Sequence, residues 1–227
     1  MALADDLKST VTQVFSSQWS TKDGTTVPDS PDIGLGNDAV KLNAVVLYAD
    51  LVESTELVNK QKREMAAEVY KAYLHCAAKI IRAEGGEITA YDGDRIMAIF
   101  LGATKETSAA RCALKINYAV LNIINPALVK QYGEVYTVRQ VVGVDGSDLF
   151  VARTGIRGAN DLVWVGPSAN YAAKLCALRE QGINSWITDA VYNSLADEAK
   201  TSNGKTMWEQ RTWNGRTIYR SGWTWTI

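Results

Sequence analysis

The chain has 227 residues, of which 47% are apolar and 22% charged, with a formal net charge of −1. That balance is ordinary for a globular domain and excludes a basic nucleic-acid groove or a surface built for anionic lipid. No uninterrupted apolar run approaches the roughly 18 residues of a membrane span, and MALADDLKST lacks the basic-then-apolar order of a signal peptide. Three cysteines (Cys76, Cys112, Cys176) without CxxC spacing read as reduced, packed residues of a cytoplasmic protein, and the lone His75 reads as a helix residue rather than a metal ligand.

Residues 1–42 read as a short helix followed by a Gly-, Pro- and Asp-rich stretch (TKDGTTVPDSPDIGLG) that wraps the surface as an extension. From Asn43 to residue 227 the pattern is that of one domain. Asn43–Ala49 predicts a strand. Ser54–Glu84 carries apolar residues at helical spacing and stops at Gly85-Gly86. Two strand-like runs, Glu87–Tyr91 and Arg95–Leu101, are joined by Asp92-Gly93-Asp94, a hairpin signal. A second helix is expected over Thr107–Val129, ending near Pro126. Strands at Val135–Val144 and Leu149–Arg153 follow, then a polar loop RTGIRGAND, a strand Leu162–Val165 and a helix entered through Gly166-Pro167-Ser168. A strand, a helix around Asp189–Glu198 and two Trp- and Thr-rich strands complete the chain. The order β-α-β-β-α-β predicts an α+β, ferredoxin-like fold with helices packed on an antiparallel-rich sheet.

In that order the first strand lies beside the hairpin, which brings Asp50 near Asp94. Two adjacent carboxylates repel and favour protonation unless a cation lies between them. Oxygen ligands with no nearby His or Cys suit Mg²⁺ or Mn²⁺, whose shells are usually completed by water and phosphate oxygens. Leu51–Thr55 leads directly into a helix, a setting that favours a polyphosphate.

The three segments LYADLVEST, EITAYDGDRIMAIF and VWVGPSANYAAKL, in this order, resemble the catalytic domain of class III nucleotidyl cyclases, the adenylate and guanylate cyclase superfamily. The likeness runs from about Asn43 to the end of the chain. The extension and RTGIRGANDLVWVG further resemble the stand-alone pyrimidine cyclases of the bacterial Pycsar antiphage system. The resemblance implies two divalent ions (Mn²⁺ or Mg²⁺) per active site, held by Asp50, Asp94 and the carbonyl of Leu51. It implies a triphosphate turn at Val52, Glu53, Ser54 and Thr55, with Glu53-Ser54 where many cyclases carry Gly-Phe. The catalytic Asn and Arg of the family fall on Asn170 and Lys174, four apart on one helical face. Lysine keeps the charge there and loses the planar fork of arginine.

The positions with which adenylate cyclases read a purine are here Ala90 and Val163, which offer no side-chain hydrogen bond. Tyr48, on the same side of its strand as Asp50, and Arg95 are the candidates to read a base instead; each also reads as a core aromatic and a solvated edge charge. Donors at these places match the carbonyl oxygens of uracil better than the amino group of cytosine. The resemblance therefore implies conversion of UTP, with CTP as second choice, to the 3′,5′-cyclic nucleotide and pyrophosphate. A purine cyclase and a non-catalytic nucleotide sensor stand as the alternatives. It also implies a homodimer with shared active sites, and a separate cyclic-nucleotide-binding effector that reads the product in antiphage defence.

Overall fold

The computed structural model describes residues 2–227. Helix α1 (Leu3–Ser16) opens the chain, and strand β1 (Ser20–Asp23) forms inside the stretch expected to be irregular. A 3-10 turn at Ser30–Asp32 precedes strand β2 (Asp38–Leu51), which begins well before Asn43. The single helix expected over Ser54–Glu84 is two, α2 (Ser54–Lys60) and α3 (Arg63–Ala83), because Gln61 turns extended at φ −111 and ψ 165. Strands β3 (Glu87–Asp92) and β4 (Arg95–Phe100) flank Gly93, whose φ of 62 suits a glycine and permits the tight reversal. Helix α4 (Lys105–Ala119) passes through a π-helical turn, Val120–Ile124, into α5 (Asn125–Tyr132). Pro126 therefore does not end the helix. It occupies the first turn of α5, where a proline's missing N–H is tolerated, and the wider turn before it absorbs the misfit.

Strand β5 (Gln140–Ile156) is continuous through both runs expected as separate strands, and pairs with β6 (Ala159–Val165). Residues 153–161, expected to be a polar loop, are thus the end of a hairpin turned at Gly158 (φ 87). Helix α6 (Pro167–Cys176) and strand β7 (Ser185–Thr188) follow. The helix expected around Asp189–Glu198 is split into α7 (Asp189–Asn193) and α8 (Asp197–Lys200). The small strands β8 (Thr201–Ser202) and β9 (Lys205–Thr206) precede the last hairpin, β10 (Glu209–Trp213) and β11 (Arg216–Ser221).

The chain forms two compact units. The smaller comprises Met1–Asn43 and Asp148–Gly166. In it β1 pairs in parallel with the start of β2, Ser20 opposite Asp38, and the β5–β6 hairpin runs from Phe150 opposite Val165 to Ile156 opposite Ala159. Trp19 meets Phe150 edge-on at 4.9 Å, Arg153 donates to the carbonyl of Ile33, and α1 has no buried residue.

The larger unit, Ala44–Ser147 with Pro167–Ile227, carries the strand order β10-β11-β7-β5-β2-β4-β3. Alternation along β2 sends Val45, Leu47, Ala49 and Leu51 into a core with Val69, Tyr73, Ala77 and Ile81 of α3 and Ala110, Ala113 and Leu114 of α4. The opposite period leaves Tyr48 and Asp50 on the other face, partly open. That face has its own smaller cluster, in which Leu175 of α6 packs with Val141, Trp186 and Ile218. The helical run Lys105–Tyr132 is long and apolar enough to cross a membrane by length and composition, yet half of its most apolar window is buried inside the fold.

Gly143 of β5 fixes how closely α6 approaches the sheet. A Cβ there would run into the backbone of α6 at Ala172, at Cys176 and, at 3.0 Å, at Leu175. Gly143→Ala should therefore cost about 2 kcal/mol by overpacking, read as a fall in melting temperature, because backbone cannot yield as a side-chain tip does.

Candidate active site

The register between β2 and β4 ends at Ala49 opposite Ile96. One step further sets Asp50 against Arg95, with Asp94 next to it in the turn after Gly93. Asp50 is partly buried and its carboxyl is raised above the usual range, first by burial and then by the charge of Asp94; Arg179, Arg95 and a backbone hydrogen bond from Leu51 pull the other way. The nearest of these cations, Arg179, lies 3.6 Å from Oδ2 of Asp50. Asp94 holds its own Oδ2 buried with no hydrogen-bond partner. A buried carboxylate oxygen without a donor, beside a second carboxylate, is costly unless a cation supplies what the protein withholds. The pair therefore fits a hard divalent ion. Among the described residues no group of three His, Cys, Asp or Glu is placed to hold one, so carbonyl, water or substrate oxygens would have to complete the shell.

The environment of the pair is otherwise inert. Cys176 is fully buried, its thiol raised far above the usual range by burial and then by Asp50, and it donates to the carbonyl of Val141 at 3.2 Å. Tyr73 is fully buried on α3, and its hydroxyl is raised by burial and by the charges of Cys176, Asp50 and Asp94 and has no partner.

Tyr48 and Arg95 are brought together. The Arg95 guanidinium lies 5.3 Å from the centre of the Tyr48 ring and pairs with Asp92 at 2.7 Å. Burial raises the Tyr48 hydroxyl, with Arg95 opposing. Ala90 sits at an irregularity in the β3–β4 pairing, opposite Met97, and Val163 lies opposite Ala152 in the β5–β6 hairpin.

On the expected triphosphate turn, the N–H of Val52 is already given to the carbonyl of Arg139 at 2.9 Å, so a phosphate there would have to use the other groups. Glu53 adopts a left-handed backbone (φ 60, ψ 33) at the start of α2 and forms an ion pair with Arg139. This conformation strains a residue with a side chain, and the half-exposed ion pair returns little. Glu53→Gly should accordingly add roughly 1 kcal/mol of stability, measurable by denaturant unfolding.

Asn170 and Lys174 are both exposed on α6. Lys174 Nζ is 5.7 Å from the ring centre of Tyr171, whose ring also carries Arg216 at 4.4 Å. The largest charges acting on Asp50 are those of Asp94, Arg179 and Arg95. Arg179 is the residue near the aspartates that the sequence reading missed. It follows α6 with no periodic or motif signal, and only the fold brings it to Asp50.

The sheet and its helices are similar to the guanylyl cyclase Cya2 (TM-score 0.68, 17% identity, 81% of this chain and 93% of that one). They are similar also to the adenylyl cyclase CyaB from P. aeruginosa (TM-score 0.65, 19% identity, 81% and 95%). A guanylate cyclase domain of RhGC from Catenaria anguillulae, solved in complex with GTP, aligns at TM-score 0.64 with 14% identity over 80% of this chain and 97% of that one. The fold is that of a class III nucleotidyl cyclase domain. No family model matches the chain. Whole-chain relatives do: it is 52% identical to a uridylate cyclase of Xanthomonas perforans over 232 residues and 52% identical to one of Burkholderia cepacia over 231, with 100% of each chain covered. The chain belongs to the uridylate cyclase family.

Proposed function

We propose that the protein converts UTP to cyclic UMP and pyrophosphate, with residues 43–227 as the catalytic region and residues 1–42 as an extension. The observation that carries this is the Asp50–Asp94 pair, with the buried, unpartnered Oδ2 of Asp94. The names of its relatives support the pyrimidine substrate. In the reaction the ribose 3′-hydroxyl gives up its proton to solvent, its oxygen bonds to the α-phosphorus, the bond from that phosphorus to the bridging oxygen of the β-phosphate breaks, and pyrophosphate departs with the electron pair. Divalent ions, Mg²⁺ or Mn²⁺, when held by Asp50, Asp94 and the Leu51 carbonyl, supply a lowered pKa for the 3′-hydroxyl and neutralise phosphate charge. Ser54 and Thr55 of the turn position the phosphates, with Val52 and Glu53 shaping it. Lys174 stabilises charge on the α-phosphoryl oxygens and Asn170 orients the ribose.

Asn170 and Lys174 stand exposed on α6. That exposure leaves them open to a second subunit and supports a two-fold homodimer in which each site combines the aspartates of one subunit with α6 of the other. Tyr48 and Arg95 would read the uracil edge, Arg95 exchanging Asp92 for a carbonyl oxygen of the base. A cytoplasmic second-messenger role in antiphage defence, through a separate effector, extends this reading by family likeness.

Incubation with each of the four ribonucleoside triphosphates and Mn²⁺, followed by mass spectrometry, tests the proposal. Cyclic UMP is the expected product. Cyclic CMP alone would reassign the base, a cyclic purine nucleotide would make it a purine cyclase, and no product would leave a nucleotide sensor.

A further inference from the structure

The smaller unit carries an apolar surface that stands open to solvent. On α1, Leu3, Leu7, Val11 and Val14 fall at intervals of three and four with Phe15 beside them, which sets all five along one side of the helix. Each is between 51% and 85% exposed, and no residue of α1 is buried. Asp5 and Asp6 lie off the stripe and Lys8 at its margin. A helix of 14 residues is marginal in water unless a packed face holds it.

The stripe is presented in a fixed direction. Asn37 Nδ2 donates to the carbonyls of Val14 (2.9 Å) and Ser17 (2.8 Å), closing the C-terminal end of α1. Trp19, half exposed, meets Phe150 edge-on, and Phe150 pairs across the hairpin with Val165, which is also exposed. The apolar surface thus runs from α1 through Trp19 to the β5–β6 hairpin. With Trp19 the stripe presents on the order of 700 Å², close to the ~800 Å² per partner of a standard interface and above the ~300–600 Å² patch of a typical monomer.

Charge and connectivity choose the occupant. The five stripe residues are uncharged, so a second copy meets them without repulsion, the same patch facing itself across a two-fold axis. The acidic first turn, Asp5 and Asp6, repels an anionic lipid surface. Val165 ends β6 two residues before Pro167 opens α6, the helix that the cyclase reading sets against the partner subunit. We infer that α1 and Trp19 form a docking surface for a second copy of this chain, through which the N-terminal extension clamps the dimer. The inference rests on the two-fold dimer of the cyclase reading and gives the extension a role in it.

The test is sedimentation velocity of the whole protein over a range of concentrations, with hydrogen exchange of the α1 amides read by mass spectrometry. The native protein should form a dimer in which residues 3–16 are protected in proportion to the dimer fraction. Leu7→Asp with Val14→Asp, both at exposed positions, should weaken the dimer roughly a hundredfold, since each change counts twice in a two-fold contact. Ser9→Asp, on the opposite side of the helix, should leave the dimer unchanged. Unchanged dimer affinity in the double variant, or α1 amides that exchange at one rate in dimer and monomer, overturns the inference even where cyclic UMP forms normally. A monomer at every concentration overturns it too, and uptake of that monomer by phosphatidylcholine vesicles would give the stripe to a lipid surface. An α1-dependent dimer that makes no cyclic nucleotide would keep the docking surface and sink the cyclase reading instead.

Discussion

Asp94→Asn should lower cyclic UMP formation by about three orders of magnitude, some 4 kcal/mol of transition-state stabilisation, while leaving the fold intact. The amide is isosteric and keeps a carbonyl oxygen, but it removes one of the two charges that we propose hold the ions. The same change should stabilise the metal-free protein. Asp50 is raised above its ordinary 3.8 by burial and by Asp94, so in the folded chain its ionised form is disfavoured. The folded state therefore binds the proton more tightly than the unfolded one, and metal-free stability falls as pH rises from the ordinary value through the raised one. Removing Asp94 takes away the second of those causes and flattens that loss. Excess Mn²⁺ should reverse the ranking: at about a hundred times its dissociation constant it adds about 2.7 kcal/mol to the native protein and little to Asp94→Asn. Thermal unfolding with and without Mn²⁺, across pH, reads both effects. Equal turnover in Asp94→Asn and the native protein would remove Asp94 from the site.

Asp50→Ala and Asn170→Ala should each be inactive alone and regain activity when mixed. In a two-fold dimer, equal mixing gives half heterodimers, each with one intact site and one doubly damaged one, so recovery should reach about a quarter of native activity. The prediction comes from where these residues lie along one chain: Asp50 sits at the end of β2, while Asn170 and Lys174 stand exposed on α6. A mixture that stays inactive, with subunit exchange verified by native mass spectrometry, would contradict a shared site.

The carboxylate pair was legible because strand alternation and a DG turn are local signals, and the β2–β4 register turned them into proximity. Tyr48 and Asp50 share a face for the same reason. Boundaries were less legible. β2 starts at Asp38 because pairing with β1, a tertiary event, extends the strand through Asp38–Lys41 ahead of Asn43. The RTGIRGAND segment reads as a loop by composition and forms a hairpin because its partner strand β6 supplies the ladder. Pro126 signals a helix end, and a π-helical turn, invisible to periodicity, carries the helix past it. Arg179 lacked any signal: it is a charge after a helix, and its meaning depends on Asp50 lying across from it.

The most direct test of the shared metal site is anomalous diffraction at the manganese edge from a crystal soaked with Mn²⁺ and a non-cyclising UTP analogue. Manganese peaks at the carboxylates of Asp50 and Asp94 are the predicted result. A bound analogue with no manganese at either aspartate would contradict the account.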